Sequence, residues 1–247
     1  MIVKKVNAKT ILSKSKVFDY TINPYIGCEH GCTYCYARFM KRYTGHKEEW
    51  GKFVDAKINA PSLLQLEIEK KKVGRVWISG TCDPYQPLEK KYELTKRCLE
   101  ILAEHAWPVT IQTKSPLAGR DVELLRKIKD AEVGFTITTA DESIRKMLEP
   151  NAPSINERIA TLEELHSAGV KTFAMIAPLL PRAEGLVALL EGKVDYVLID
   201  KMNYHYADWV YRQFRLEHAM TDKFFNSMKE ELADAFERID VPYRFLF

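Results

Sequence analysis

Three cysteines lie within eight residues near the start of the chain, at Cys28, Cys32 and Cys35. Thiolates at these spacings can ligate three irons of a 4Fe-4S cluster, which is normally held by four cysteines. One iron would then stay open to a small chelating ligand. Because catalytic metal sites keep an open position and structural sites do not, the spacing predicts a catalytic iron–sulfur cluster.

The same cysteines could instead bind zinc together with His30 or another histidine, since Cys₃His sites are common. Structural zinc sites usually take their ligands in two separated pairs, whereas His30 is crowded between Cys28 and Cys32. The spacing therefore favours the cluster. The total of five cysteines is odd, which argues against a disulfide framework and for metal or redox chemistry.

The composition excludes few functions. Hydrophobic residues make up 46% and charged residues 29% of the 247 residues, as in ordinary soluble domains. The net charge of +3 is too small to indicate nucleic-acid binding by itself, and the basic residues at 41–42, 47, 52 and 70–72 are predicted to form a solvated surface. The chain starts without a signal-peptide apolar region and has no apolar run of ~18 residues, so we expect a cytoplasmic protein with no membrane partner.

Short apolar runs alternate with amphipathic segments, and these elements must position the cysteines. Strands are predicted at 20–26, 75–79, 109–113, 133–138, 170–176 and 194–199, and helices at 62–72, 90–104, 120–129, 155–168, 184–190 and 222–239. Repeated strand–helix units imply right-handed crossovers and a parallel sheet. The predicted fold class is α/β: a partial (β/α)6 TIM-like barrel over residues 1–200, with a C-terminal helical and strand extension over 201–247 packed on it.

The cysteine loop follows the first predicted strand. It is therefore expected at the C-terminal mouth of the barrel, where such folds carry their chemistry, and Gly27 and Gly31 would let the backbone fold round a compact metal centre. The extension begins with an aromatic cluster that we expect to be core for a terminal helix, with base stacking or a lid over the active site as the alternative. Its members are Tyr204, His205, Tyr206, Trp209 and Tyr211.

The cysteine motif resembles that of the radical S-adenosylmethionine enzymes, Cys-x₃-Cys-x₂-Cys with an aromatic residue, here Tyr34, before the last cysteine. The longer string at 23–37, NPYIGCEHGCTYCYA, is similar to the subfamily related to spore photoproduct lyase, the radical DNA-repair enzymes. Further matching strings are SGTCDPYQP at 79–87, TKS at 113–115, LEPNAPS at 148–154 and AP at 177–178. The resemblance covers about residues 20–200.

The resemblance implies two cofactors, a 4Fe-4S cluster on Cys28, Cys32 and Cys35 and S-adenosylmethionine on its open iron. An electron from the cluster would break a sulfur–carbon bond, giving methionine and a 5′-deoxyadenosyl radical that abstracts a hydrogen from substrate. The cofactor supplies this chemistry, and the protein positions it. A reductant such as flavodoxin or ferredoxin is implied as a partner, with DNA as a candidate partner.

The resemblance also implies roles for the two tyrosines of the motif and for the second strand. Tyr34 would lie near the adenine and Tyr36 would bond the cofactor, although either ring could simply pack against the barrel. Small residues at the end of the second strand would let backbone groups reach the methionine end of the cofactor. These residues are Ser79, Gly80 and Thr81.

Four further cofactor-binding candidates end later strands. Lys114 suits the cofactor carboxylate by charge pairing, or is a rim lysine in water. Thr136 and Thr138 alternate by two, so they share one strand face and can meet the ribose if that face points inward. Ala177 would offer its backbone to the adenine.

Cys82 is the candidate catalytic residue. Spore photoproduct lyases carry a cysteine near this place that returns a hydrogen atom to the substrate radical, although the local pattern does not align cleanly and a lone cysteine is most often inert. Cys98 lies on an apolar helical face and is predicted to be core.

Three functions follow as hypotheses. The first is a lyase-like radical enzyme acting on DNA, such as a photoproduct-repair enzyme. The second is a radical enzyme that modifies a peptide or small metabolite. The third, of another class, is a zinc-binding structural module.

Overall fold

A computed structural model describes residues 1–247 of the chain. Its main sheet has eight strands in the order β11-β10-β9-β8-β7-β6-β3-β2, in which every pair is parallel except the antiparallel β2 and β3 at one edge. The strands are β2 (Ser13–Lys14), β3 (Tyr20–Ile22), β6 (Val76–Ile78), β7 (Val109–Thr113), β8 (Ala131–Thr136), β9 (Lys171–Ile176), β10 (Tyr196–Ile199) and β11 (Tyr243–Phe245).

Helices connect the parallel strands. They are α1 (Ala60–Ile68), α2 (Glu89–Tyr92), α3 (Leu94–Glu104), α4 (Val122–Lys127), α5 (Glu142–Leu148), α6 (Ile155–Ser167), α7 (Leu186–Leu190), α8 (Asp208–Gln213) and α9 (Asp222–Arg238). At the start of α6, Ser154 and Glu157 form a reciprocal capping box. The two ends of the sheet do not pair with each other, so the sheet is an open, partial barrel, as the sequence predicts.

The first predicted strand, 20–26, is two short strands in different sheets. Pro24 has no amide hydrogen to donate to a ladder, and the chain turns there from β3 to β4 (Tyr25–Ile26). β4 joins a second sheet of order β1-β5-β4, with β1 (Ile2–Val6) and β5 (Phe53–Lys57). The sequence pattern does not predict this sheet. β5 is almost wholly buried and supports the cysteine loop from below.

The C-terminal segment packs on the barrel and also extends its sheet. α9 buries Phe225, Met228, Leu232 and Phe236 along one face, and β11 pairs in parallel with β10. The end of the chain is therefore a seventh parallel strand. No helix has the length and apolar character that crossing a bilayer requires.

Candidate active site

A cavity of about 480 Å³ opens at the carboxyl ends of the parallel strands. Most of the candidate residues from the sequence motifs line it. Cys28, Cys32 and Cys35 line one wall, and residues at the ends of successive strands line the rest. This is the edge of the sheet at which α/β folds bind their ligands, because the carboxyl ends of parallel strands and the loops after them meet there.

Glycines shape the cysteine loop. Gly27 has a φ of +90°, and a β-carbon there would lie 2.4 Å from the Phe53 carbonyl oxygen of β5. Gly31 has a φ of +60° and packs against Gly51, where a β-carbon would lie 2.8 Å from the Gly31 α-carbon. The close contact requires glycine at position 27, and the left-handed φ favours glycine at position 31, so the predicted role of Gly27 and Gly31 in folding the loop has a specific cause.

The segment after β6 braces the same loop. The Gln86 side chain donates to the Gly27 carbonyl (3.2 Å) and accepts from the Glu29 amide (3.0 Å), and the Glu29 carboxylate accepts from the Leu88 amide (2.5 Å). These bonds hold the cysteine loop in place against the segment at 86–88.

Burial governs the state of the three thiols. It raises the pKa of Cys32 to about 12 and raises the pKa values of Cys28 and Cys35. Without metal the thiols are therefore protonated at neutral pH, and iron binding has to displace their protons.

The donor set fits an iron–sulfur cluster by its chemistry. The sulfurs of Cys28, Cys32 and Cys35 line one wall of the cavity, and cysteine thiolates are the ligands that iron–sulfur clusters take. His30 is buried, and its Nδ1 faces Asp83 at 3.4 Å rather than joining a cysteine set.

A buried ion pair stands behind the cysteines. Arg158 donates to Glu149 at 2.5 Å, and both side chains are fully buried. Glu149 also accepts from the Tyr34 hydroxyl and from Thr138 Oγ1. Burial opposes its ionisation, but the charges of Arg158 and Lys114 and the hydrogen bonds from Tyr34 and Arg158 lower the pKa of Glu149 to about 2.

Asp83 organises the end of β7. It accepts from Thr113 Oγ1 (2.6 Å) and the Lys114 amide (2.7 Å). Burial opposes its charge, but the His30 charge and the hydrogen bonds from His30, Thr113 and Lys114 lower the pKa of Asp83 to about 2. Because the main chain of Lys114 is fixed in this way, its side chain is held at the cavity, with the ammonium 5.7 Å from the centre of the Tyr34 ring.

Cys82 lies in the loop after β6, on the wall of the cavity. Its thiol donates to Ser79 Oγ at 3.5 Å, and burial raises the pKa of Cys82 to about 12. Ser79 has a φ of +65°, a strained conformation for a residue with a β-carbon. The Tyr36 hydroxyl donates to the Gly80 carbonyl, so the cysteine loop and this loop are joined at the cavity wall.

The structure brings together nearly all of the predicted site residues. Those lining the cavity with the three cysteines are Tyr34, Tyr36, Ser79, Gly80, Thr81, Cys82, Lys114, Thr136 and Ala177. Thr138 is not among them. β8 ends at Thr136, so the alternation of side chains does not continue to Thr138, whose hydroxyl turns to Glu149 instead.

Several lining residues were not predicted from the sequence. Gln112 and Met175 lie inside β7 and β9, and residues 200–203 follow β10, while Tyr204 belongs to the aromatic cluster whose alternative role is a lid over the active site. The rule that places ligands at the ends of parallel strands would have indicated residues 200–204, because it applies to the sixth strand as to the others.

The aromatic cluster of the extension is mostly not core, contrary to expectation. Tyr211 alone is buried in an apolar cluster, whereas Tyr204 is 49%, Tyr206 38% and Trp209 56% exposed. His205 is exposed as well. α8, which carries Trp209 and Tyr211, is only six residues long and buries one side, so it cannot cover the remaining rings.

Comparison with known proteins agrees with this geometry. The family model described as the Radical SAM superfamily matches residues 22–184. An uncharacterised protein of Methanocaldococcus jannaschii is 37% identical over 72% of this chain and 67% of its own length. A Mycobacterium tuberculosis protein is 30% identical over 67% of this chain, but the chain spans only 51% of that relative. A Pseudomonas phage M6 protein, named a radical SAM Nalpha-GlyT isomerase, is 22% identical over 64% of this chain and 32% of its own.

The fold is shared with a solved structure. Spore photoproduct lyase complexed with dinucleoside spore photoproduct superposes with a TM-score of 0.70, covering 99% of this chain and 82% of that chain. The sequence identity is 15%, so the likeness is one of fold.

Proposed function

The chain belongs to the radical S-adenosylmethionine superfamily, and we propose that this enzyme directs its radical at a damaged pyrimidine base of DNA, in the manner of spore photoproduct lyase. The family's cofactors are a 4Fe-4S cluster and S-adenosylmethionine. When bound, they supply a 5′-deoxyadenosyl radical that abstracts a hydrogen atom. We further propose that residues 1–200 form the core barrel that holds the radical-generating cofactors. Residues 201–247 form a C-terminal extension that lines the part of the cavity where the substrate binds.

In this proposal the chain's own residues hold and orient the cofactors. Cys28, Cys32 and Cys35 would ligate three irons, and Lys114 would pair with the carboxylate of S-adenosylmethionine. The backbone of residues 79–81 would face its methionine end, while Thr136 and Ala177 would face its nucleoside. All of them line one cavity, which supports the assignment.

The observation that carries the choice of a repair-like reaction is a further thiol in that cavity, outside the three-cysteine motif. Cys82 has a pKa raised to about 12, so at neutral pH it keeps the S–H bond that a hydrogen-atom donor needs. In the proposed step the Cys82 S–H bond breaks homolytically, the hydrogen atom goes to a carbon radical on the substrate, and the unpaired electron stays on Sγ.

Two further observations support DNA as the substrate. The fold neighbour was solved with a dinucleoside spore photoproduct bound, and in this chain exposed tyrosines border the cavity. Radical enzymes of this family also need an external reductant, for which a flavodoxin or a ferredoxin is the proposed partner.

Isotope transfer tests the proposal. The cluster-loaded, reduced enzyme is given S-adenosylmethionine and an ultraviolet-irradiated oligonucleotide with deuterated thymidines. Deuterium should appear in 5′-deoxyadenosine while the lesion disappears, both followed by mass spectrometry. If the oligonucleotide donates no deuterium and its lesions persist, the substrate is not damaged DNA.

The role of Cys82 is tested in D₂O, where its thiol exchanges with solvent. With unlabelled oligonucleotide, the wild-type product should gain one solvent deuterium, and Cys82→Ala should lose most of this incorporation together with repair. A Cys82→Ala enzyme that keeps full repair and solvent incorporation would remove Cys82 from the reaction. Cys98→Ala, which changes a buried cysteine away from the cavity, is the matched control.

A further inference from the structure

Three tyrosine rings and one guanidinium form a continuous stack beside the cavity. The Arg38 guanidinium lies 4.8 Å from the Tyr206 ring centre. Tyr206 stacks on Tyr204 with centroids 5.9 Å apart and planes within 10°, and Tyr204 stacks on Tyr36 at 6.0 Å and 22°. We call these four side chains the tyrosine platform.

The tyrosine platform leads from the surface into the cavity. Tyr36 and Tyr204 both line the cavity, and the Tyr36 hydroxyl is tied to the Gly80 carbonyl on its wall. Tyr206 and Arg38 continue the stack outward. A flat ligand lying on the platform would therefore extend into the cavity that the three cysteines and Cys82 line.

The platform rings remain open to solvent although they stack on one another. Tyr36 is 40%, Tyr204 49% and Tyr206 38% exposed, and the neighbouring Tyr43 and Trp209 are more exposed still. Clustered exposed aromatics of this kind mark interaction sites, because an isolated fold gains more by burying them.

The segment that carries Tyr36 and Arg38 is rich in cations. Residues 36–47 include Arg38, Lys41, Arg42 and Lys47, with Glu48 and Glu49 following directly, and the Arg42 guanidinium lies over the rings of Phe39 and Tyr43. Aromatic faces interleaved with cations suit a chain of flat rings joined by negative charges.

We infer that the tyrosine platform binds single-stranded nucleic acid, stacking bases while nearby cations contact phosphates, and so delivers one unpaired base to the cavity. This rests on the proposed function in taking a base as the target. Base stacking on aromatic side chains is independent of sequence and requires unpaired bases, whose faces are free. A cavity of about 480 Å³ admits a base only when it has left the duplex.

Fluorescence anisotropy with the cluster-loaded enzyme and a labelled single-stranded oligothymidylate tests the platform. The wild type should bind this strand at least about tenfold more tightly than a blunt duplex of equal length. Tyr204→Ala/Tyr206→Ala should weaken binding by about tenfold or more, since each stacked base contributes about fivefold or more. Tyr204→Phe/Tyr206→Phe keeps the rings and should stay within about twofold of wild type. Iron content and urea unfolding verify that the variants are folded.

The salt dependence tests the cations separately. Arg42→Gln/Lys47→Gln should reduce the slope of log K against log salt by about 0.7 for each phosphate that the variant no longer binds. Lys70→Gln/Lys72→Gln is the matched control, because these exposed lysines follow α1, at the end of the barrel away from the cavity. Equal slopes for all three proteins would contradict a phosphate-binding surface.

The outcomes distinguish failure of the platform proposal from failure of the proposed function. If damaged DNA is repaired but Tyr204→Ala/Tyr206→Ala binds the strand as the wild type does, the platform is wrong and the function stands. If the strand binds through the tyrosines but no label leaves it, the platform stands and the repair proposal falls. If the wild type binds no oligonucleotide, the platform is overturned, and a peptide occupant becomes the next hypothesis.

Discussion

The hydroxyl of Tyr34 donates to the carboxylate of Glu149, which lies 115 residues later in the chain. This bond joins the cysteine loop to the segment after α5 inside a fully buried site, where Arg158 supplies the opposite charge. The main chain adds to it, since the Thr33 amide donates to the Leu148 carbonyl at 2.8 Å. The cysteine loop is therefore held in place by a buried ion pair as well as by apolar packing.

Removing Glu149 should strongly destabilise the protein. Glu149→Ala leaves Arg158 charged and buried without its partner, and breaking a buried pair in this way typically costs about 3–5 kcal/mol. Urea unfolding of the cluster-loaded protein measures this loss. Glu123→Ala, which removes an exposed carboxylate that pairs with Arg126 on α4, should change stability by less than about 1 kcal/mol. Equal effects of the two substitutions would contradict the bracing role.

The ligand assignment predicts a clear difference between two cysteines. Cys35→Ala should lose iron, sulfide and the slow formation of 5′-deoxyadenosine without substrate, because only two ligands would remain. Cys98→Ala should keep all three, since Cys98 is a core residue with no exposed surface, as predicted. Metal and sulfide analysis after anaerobic reconstitution makes the comparison. A Cys35→Ala protein that retains a full cluster would show that another side chain is the ligand.

Much of the fold was predictable because strongly periodic apolar segments leave few alternatives. Five of the six predicted strands are present in the parallel sheet with ends displaced by a few residues, and of the first predicted strand, 20–26, only β3 joins that sheet. The β1-β5-β4 sheet was missed because β1 is short and mostly exposed, so its burial pattern gives no alternation. α5 was missed although Asp141 caps it by accepting from the Ser143 and Ile144 amides, a signal visible in the sequence.

Site residues could be predicted from the sequence where the ends of the strands could be predicted. Ser79 and Lys114 follow their strands directly and line the cavity. The prediction for Thr138 required the strand to continue for two residues beyond Thr136. The strand ends at Thr136, and the Thr138 hydroxyl donates to Glu149 instead. The exposure of Tyr204 and Tyr206 could not be foreseen, because aromatic composition alone favours burial and only tertiary packing decides which rings stay uncovered.

Lys114 should contribute to binding S-adenosylmethionine through its charge. Cluster-loaded Lys114→Met, which keeps the shape but not the ammonium, should bind the cofactor about tenfold or more weakly, as expected when a charged hydrogen bond is removed. Equilibrium dialysis measures the dissociation constant. Lys114→Arg should retain part of the affinity, and 5′-deoxyadenosine, which has no carboxylate, should bind all three proteins equally. An unchanged affinity for S-adenosylmethionine in Lys114→Met would reject the carboxylate interaction.

The reactivity of Cys82 should have a distinctive pH dependence. Burial raises the pKa of Cys82 to about 12, against about 8.5 for a free cysteine, so at pH 8 only about one thiol in ten thousand is a thiolate. Alkylation requires the thiolate. In the cluster-loaded enzyme, iodoacetamide should therefore modify Cys82 slowly at pH 8, with a rate that rises about tenfold per pH unit up to pH 10. Peptide mass spectrometry follows the modification.

A cysteine introduced by Lys129→Cys at an exposed position provides the reference thiol in the same protein. Its rate should be far higher at pH 8 and should level off above about pH 9, because an exposed thiol titrates near its ordinary pKa. If Cys82 reacted as fast as this reference and levelled off at the same pH, its thiol would titrate like that of an exposed cysteine. That result would contradict the raised pKa and the buried setting of the Cys82 thiol.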